Sequence, residues 1–419
     1  MISPANPSMP SVAGAIILGK TNLPQLMLMH ESDNPVYGVT NNPWDSGRAP
    51  GGSSGGEAAI IAAGGSPLGL ANDVGGSIRY PAHACGICGI KPTTRRLTNA
   101  GARDNLRGLE AILPQPGPLA RNVEDLYAAL RVLSTLEEGE IDPQIAPVPL
   151  GDPAQVDVAS LRVGYWTDDR FFQPSPAVVR AVDEAATTLR ACGAQVEAFE
   201  PPDMHEAVRI YLGLISADGG ADAARLVGSS RRDWRVRRLL AIGGAPRWLR
   251  RLLGGAARLC GQHRTADMLG MIGRLSADQF WQLSLQRSQY AERFFTAWSD
   301  ARLDVLICPP HALPAIRHGD SAQLALAGSY CYWANLLGVP AGVVPITRVE
   351  AHEQAGRPVS RDLVLKTAHA VDAGSFGLPV GVQVAARPWR EDVVLAVMSA
   401  LEARFRTTNE IPATPIDPH

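Results

Sequence analysis

The stretch "GRAPGGSSGGEAAIIAAGGSPLGLANDVGGSIRYPAHACGICGIKPT", residues 47–93, decides how this sequence is read. It holds two serines wrapped in glycine: Ser53 in "GGSSGGE" and, 24 residues later, Ser77 in "DVGGSIR". Glycine permits sharp turns and close backbone approach. Two hydroxyls set in such clusters read as two loops packed together. Gly75 and Gly76 would let successive N–H groups point into one concavity, an oxyanion hole just ahead of a nucleophile. Between the clusters the pattern predicts a small-residue helix near residues 57–63 and a buried strand in "PLGLAND". The end of the stretch, "VGGSIRYPAHACGICGIKPT", reads as irregular.

Working outward, apolar runs predict strands at residues 15–18, 162–166, 303–310 and 377–386. Helical patterns fall at residues 123–133, 176–191 and 391–405, the last an amphipathic terminal helix. Strands alternating with helices predict an α/β layered fold. No repeat and no clean linker is visible, which predicts one domain.

The chain has 419 residues, 46% hydrophobic and 19% charged, an ordinary globular composition. A formal net charge of -2 gives no reason to expect a nucleic-acid partner. Six cysteines in so long a chain form no disulfide framework. Cys85-Gly-Ile-Cys88 lacks the second pair or nearby histidines that zinc needs, so it reads as two buried thiols. No metal or cofactor is expected. Residues 1–14 lack the basic and apolar regions of a signal peptide, and no run approaches the about 18 apolar residues of a membrane span. A cytoplasmic protein is the expectation.

One segment stands apart. Residues 231–258 carry nine arginines and one acidic residue, Asp233, for a net charge of +8. Within it, "APRWLRRLLGGAARL" sets Leu249, Leu252, Leu253 and Ala256 on one helical stripe, with Trp248 at its start. An apolar stripe flanked by arginine can lie in a membrane interface, but on the local pattern alone it reads first as a surface helix resting its leucines on the core.

Two other motifs match literally. Residues 14–21, "GAIILGKT", fit the phosphate-binding pattern G-x-x-x-x-G-K-[ST]. The interior of that loop should be flexible, and Ala-Ile-Ile-Leu is strand-forming instead; Pro24 then spoils the helix that must follow. Residues 51–55 fit G-x-S-x-G, but a nucleophile elbow needs a strand before it, and "DSGRAP" is a loop. A Ser-His-Asp triad finds no histidine in a supporting context.

The stretch at residues 47–93 resembles the signature of the amidase signature family. The resemblance continues through "GAIILGKTNLPQL" and "NNPWD" upstream and "GPLARNVEDL", "DVLICPP" and "GLPVGVQVAARPWRED" downstream. "ACGICGIKPT" and "NLLGVPAGVVPITRV" are most similar to the fatty acid amide hydrolase branch. The resemblance implies one large twisted mixed β-sheet covered by helices on both faces, as a single domain over residues 1–415. It also implies a helical cap-like insertion at residues 205–300, with Trp248, Leu249, Leu252 and Leu253 touching a membrane.

It further implies a Ser-cisSer-Lys mechanism. Ser77 would attack the amide carbonyl to form an acyl-enzyme, and Ser53 would relay its proton, with the Gly52–Ser53 peptide cis. Val74, Gly75, Gly76 and Ser77 would supply oxyanion N–H groups, and Ser54, Asp73 and Arg79 would support the loops. Asp73 and Arg79 straddle Ser77 closely enough in sequence to pair. The family's lysine lies further upstream of the bridging serine than this sequence reaches. The three lysines present, Lys20, Lys91 and Lys366, match other positions. The expectation is therefore an N-terminally truncated amidase acting on fatty acyl amides, with doubtful turnover as given. The alternatives are a non-catalytic lipid- or membrane-binding relative and the tRNA-dependent amidotransferase component that makes glutaminyl-tRNA from its misacylated precursor. The expected partners are a small-molecule amide and a membrane surface, with a homodimer left open.

Overall fold

The sheet that carries the site is built from short strands far apart in sequence. The computed structural model describes residues 14–100, 102, 106, 108–134 and 142–406. The short pair β1 (Asp33–Asn34) and β2 (Gly38–Val39) stands alone. The remaining strands are β3 (Leu68–Asp73), β4 (Cys88–Lys91), β5 (Gln115–Ala120), β6 (Arg162–Tyr165), β7 (Gln195–Ala198), β8 (Val305–Cys308), β9 (Ala341–Arg348) and β10 (Pro379–Ala386). They form one eight-stranded sheet in the order β3-β5-β4-β9-β10-β8-β6-β7. Pairing is antiparallel from β3 to β8 and parallel across β8, β6 and β7, so the sheet is mixed.

Thirteen helices accompany it among the described residues. The first four are α1 (Gly55–Ala62), α2 (Arg79–Cys85), α3 (Val123–Leu133) and α4 (Pro176–Ala191). Six more follow without an intervening strand: α5 (Met204–Ile215), α6 (Ala221–Val227), α7 (Trp234–Gly244), α8 (Arg247–Leu259), α9 (His263–Met271) and α10 (Ala277–Asp300). The last three are α11 (Ser329–Leu337), α12 (Leu363–Asp372) and α13 (Glu391–Arg406). Proline at its first position suits α4. α10 opens on a capping box between Ser276 and Gln279.

Helices cover both faces, and two glycines prove it. Gly89 pairs with Val343, and a Cβ on Gly89 would touch Ile78 and Ala82 beside and within α2. The neighbouring Gly342 would touch Met398 of α13. Successive strand residues face opposite ways, so α2 and α13 lie on opposite sides of the sheet. Core strands β8 and β10 are buried along their whole length.

Three expectations need correction. Residues 15–18 form no strand: Ile16, Ile17 and Leu18 are 85%, 59% and 70% exposed. A β-prone run becomes a strand only where a sheet edge pairs with it, and no described residue does. Secondly, β3 is an edge strand with alternating burial rather than a fully buried one. Thirdly, residues 74–93 are not irregular throughout, because α2 and β4 lie within them. The glycines that suggested irregularity sit between those elements: Gly86 ends α2 in the left-handed conformation. The signal-peptide reading of residues 1–14 falls almost wholly outside the described residues.

Candidate active site

The two glycine-serine clusters meet. β3 delivers Asp73 to the sheet edge, residues 74–78 turn, and α2 begins at Arg79. The other cluster leads into α1. Ser54 donates its N–H to the Ser77 carbonyl at 3.3 Å, which ties the loops together. The Gly52–Ser53 peptide is cis. Ser53 and Ser77 are 4% and 6% exposed, and neither hydroxyl is hydrogen-bonded to a described residue. Their backbones are brought together, while the hydroxyls themselves are not linked.

Ser32 glues the first loop. Its hydroxyl meets the carbonyls of Gly51 and Ser53 at 3.3 and 3.2 Å and accepts from Gly55 N at 3.0 Å. Gly52 must be glycine for a steric reason. A Cβ there would collide with the backbone of Met29, His30 and Glu31. Gly76 must be glycine twice over: its φ is +106°, and a Cβ would lie 2.8 Å from Cys331.

Asp73 organises the second loop. Its carboxylate accepts from Gly76 N at 2.8 Å and Ile78 N at 3.1 Å. It also takes Nε and Nη2 of Arg79 at 3.0 and 2.9 Å. The two residues that straddle Ser77 in sequence are therefore paired in the fold. Burial works to raise the Asp73 carboxyl, but the charge and hydrogen bonds of Arg79 hold it well below the usual range. Arg79 reaches on to the Cys331 carbonyl, Gln383 and Asn335.

The carbonyls of the nucleophile loop are pinned as well. Tyr211 donates to Val74 O at 2.9 Å, and His30 Nε2 meets Gly75 O at 3.2 Å. Among the described residues nothing accepts from the N–H groups of Val74, Gly75 or Ser77. The Gly76 N–H is different, being held by Asp73. His30 is half-buried, and the loss of solvent around its ring lowers its pKa and favours the neutral form. With Nε2 donating to Gly75, its Nδ1 is an acceptor with no partner among the described residues.

No lysine joins the serines. Lys20 and Lys366 are exposed. Lys91 is fully buried in β4 and donates to Pro92 O at 2.8 Å. Burial, reinforced by the Arg79 charge, brings its amine down to about 7. Cys85 and Cys88 are free buried thiols. Ser54, predicted as a support, acts through its backbone, which caps α1 without a side-chain bond.

Several neighbours of the site had no motif: His30, Glu31, Ser32, Tyr211, Asn335 and Gln383. Gln383 alone had a signal, as a lone polar residue inside the apolar run "PVGVQVAA".

A mixed sheet of this order with two interlocked Gly-Ser loops is the arrangement of an amidase signature hydrolase. The chain belongs to the Amidase family, whose profile matches residues 11–395. It is 37% identical over 394 residues to fatty-acid amide hydrolase 1 of Sus scrofa, covering 93% of this chain and 68% of that relative. It is 34% identical over 397 residues to fatty acid amide hydrolase 1 of Caenorhabditis elegans, with the same coverage of 93% and 68%. A glutamyl-tRNA(Gln) amidotransferase chain from a Picosynechococcus strain is 30% identical over 403 residues, covering 93% of this chain and 75% of the relative. A solved fatty acid amide hydrolase superposes with a TM-score of 0.77 at 23% identity, over 95% of this chain and 66% of that one, a likeness of fold. The chain thus spans about two thirds of the length of these hydrolases.

Proposed function

We propose that this protein is a serine amidohydrolase whose nucleophile is Ser77 and whose substrates are fatty acyl amides. The observation that carries the reading is the join between the two loops, with Ser54 N on Ser77 O, while the N–H groups of Val74, Gly75 and Ser77 have no acceptor among the described residues. Ser77 Oγ would bond to the amide carbon while its proton passes through Ser53 toward the departing amine. The C–N bond then breaks, the amine leaves with a proton, and water releases the acid from the ester. The N–H groups of Val74, Gly75 and Ser77 would hold the developing oxyanion, each typically worth about 3 kcal/mol of barrier. Gly76 contributes the turn, since its own N–H serves Asp73. The acyl preference rests on the likeness to the fatty acid amide hydrolases. Contact of α8 with a lipid surface belongs to the same reading; no helix among the described residues is long and apolar enough to cross a membrane.

The positions of the three lysines favour a second element. Ser53 has no lysine within hydrogen-bonding reach among the described residues, so the 419-residue chain should turn over amides slowly. The test is hydrolysis of a long-chain acyl amide by the chain, by an upstream-extended form and by Ser77→Ala in each. Activity that survives Ser77→Ala overturns the nucleophile. Equal turnover by the short and extended forms overturns the argument from the lysines.

A further inference from the structure

Of the five arginines between residues 231 and 238, four are exposed and Arg235 is buried. Its guanidinium, 2% exposed, reaches three carboxylates: Glu31, Asp33 and Asp233. Asp233 caps α7 by accepting Arg235 N at 2.7 Å, so it belongs to the same helix start. Glu31 and Asp33 lie some 200 residues away in sequence. Glu31 is itself fully committed, taking Gly319 N and Ser321 Oγ at 2.7 Å each. Gln25 adds a second stitch, donating to Arg231 O at 2.9 Å and accepting Asp233 N at 2.8 Å.

What Glu31 sits between gives this clasp its meaning. His30, before it, holds the Gly75 carbonyl of the nucleophile loop. Ser32, after it, holds Gly51, Ser53 and Gly55 of the other loop. The backbone of residues 29–31 is also the surface on which Gly52 rests. Three consecutive residues therefore touch both loops, and the middle one is fixed by an arginine from the helical segment. A buried guanidinium shared by several carboxylates is rigid in a way that an exposed pair is not.

We propose that Arg235 is a positioning residue, which through Glu31 sets His30 and Ser32 and so fixes Gly75 and Ser53 relative to Ser77. The proposal rests on the reading of Ser77 and Ser53 as the reacting pair. It also makes α7 the mechanical link between the arginine-rich helices and the site. Small displacements of reacting groups cost about a hundredfold in rate.

The test uses the full chain and the variants Arg235→Ala, Arg235→Lys and Glu31→Gln, with exposed Arg238→Ala as control. Two quantities are read. One is the modification of Ser77 by a fluorophosphonate, split into its binding and inactivation constants. The other is hydrogen exchange of peptides covering residues 28–34, 50–56 and 73–78. In Arg235→Ala the inactivation constant should fall by about ten- to a hundredfold with binding little changed. Exchange should rise at residues 28–34 and 50–56. Arg235→Lys, which keeps one charge but cannot fork, should recover part of both, and Arg238→Ala should match the wild type. Should Arg235→Ala fail to fold, Arg235→Lys and Glu31→Gln decide alone. Unchanged inactivation in a folded variant, or faster exchange confined to residues 231–245, overturns the proposal. If Ser77 is not modified in the wild type, exchange at residues 28–34 and 50–56 decides the positioning by itself, and exchange unchanged there in Arg235→Ala overturns it.

Discussion

Arg79 and Asp73 face each other with both side chains wholly buried, joined by two hydrogen bonds of 3.0 and 2.9 Å. The pair lies directly under the turn that presents Ser77. Taking one partner from a buried pair leaves an uncompensated charge and costs about 3–5 kcal/mol. Arg79→Met should lose that much in denaturant unfolding and should leave Ser77 unreactive. The deficit should depend on pH. In the native chain Arg79 keeps Asp73 ionised below its usual range, so this contribution is present above the unfolded carboxyl's pKa and lost in strong acid. Without Arg79, burial is opposed only by the backbone bond from Gly76 and the Lys91 charge, and the carboxyl moves up. The variant's deficit should therefore be largest near neutrality and shrink as pH falls through 4. A deficit independent of pH would mean the ion pair is not its source.

Gly75 offers a test with a built-in rescue. A Cβ there would meet the hydroxyl of Tyr211, which donates to Val74 O and stacks on Tyr332 with ring centroids 4.3 Å apart. Tyr211 is a buried residue of α5, held by its bond to Val74 O and its stack on Tyr332. Gly75→Ala should thus displace the loop and slow modification of Ser77 by more than about tenfold. Tyr211→Phe removes the clashing atom at the cost of one hydrogen bond, about 1 kcal/mol. The double variant should be more reactive than Gly75→Ala alone. A double variant that merely sums the two losses would refute the steric account.

The elements most legible from sequence were those whose signal is local. The helical pattern at residues 176–191 marked α4, and "DVLIC" and "PVGVQVAA" were buried strands by composition alone. The two serine loops were visible because glycine has a backbone reason to be there. Less legible was anything fixed by distant partners. Residues 15–18 have a strand's composition, but whether they pair depends on what lies beside the sheet edge. Pro116 and Pro118 argue against an interior strand, yet β5 runs between β3 and β4. Arg235 is one arginine among nine in its segment, and only Glu31, far away in sequence, distinguishes it.

Asp169 predicts a pH effect of opposite sign to Asp73. It is buried, and burial outweighs its bonds from Ser329, Phe172 and Phe171, raising its pKa from 3.8 to about 6. A raised carboxyl contributes stability that is full below its unfolded pKa and lost as pH rises through its folded pKa. The folded chain therefore loses up to about 3 kcal/mol from this group between pH 4 and pH 7. Asp169→Asn cannot ionise and loses nothing. The stability of Asp169→Asn minus that of the wild type should rise by that amount across the window, as read from urea midpoints at several pH values. A flat difference would place the group's titration elsewhere.

The lipid surface can be tested on α8 without disturbing the fold. Trp248, Leu252 and Leu259 are 67%, 63% and 92% exposed, and at 100° per residue they share one face of the helix. Arg247, Arg251 and Arg258, all exposed, line the edge of that face. Leu249 is half-buried, and Arg250 and Gly254 turn inward, with Gly254 lying over α9. Anchoring and exposed surfaces are thus carried by different residues of one helix. Leu252→Glu with Leu253→Glu should leave the thermal midpoint within the scatter of ordinary surface changes, about 0.5 kcal/mol in stability. The same change should sharply weaken sedimentation with vesicles containing anionic lipid, because it removes apolar area and adds like charge to the surface it meets. In the parent chain, Trp248 fluorescence should shift to the blue on vesicle addition, and salt should weaken binding by screening the arginines. Vesicle binding that survives the double substitution would place the contact elsewhere on the molecule and return α8 to an ordinary solvated helix.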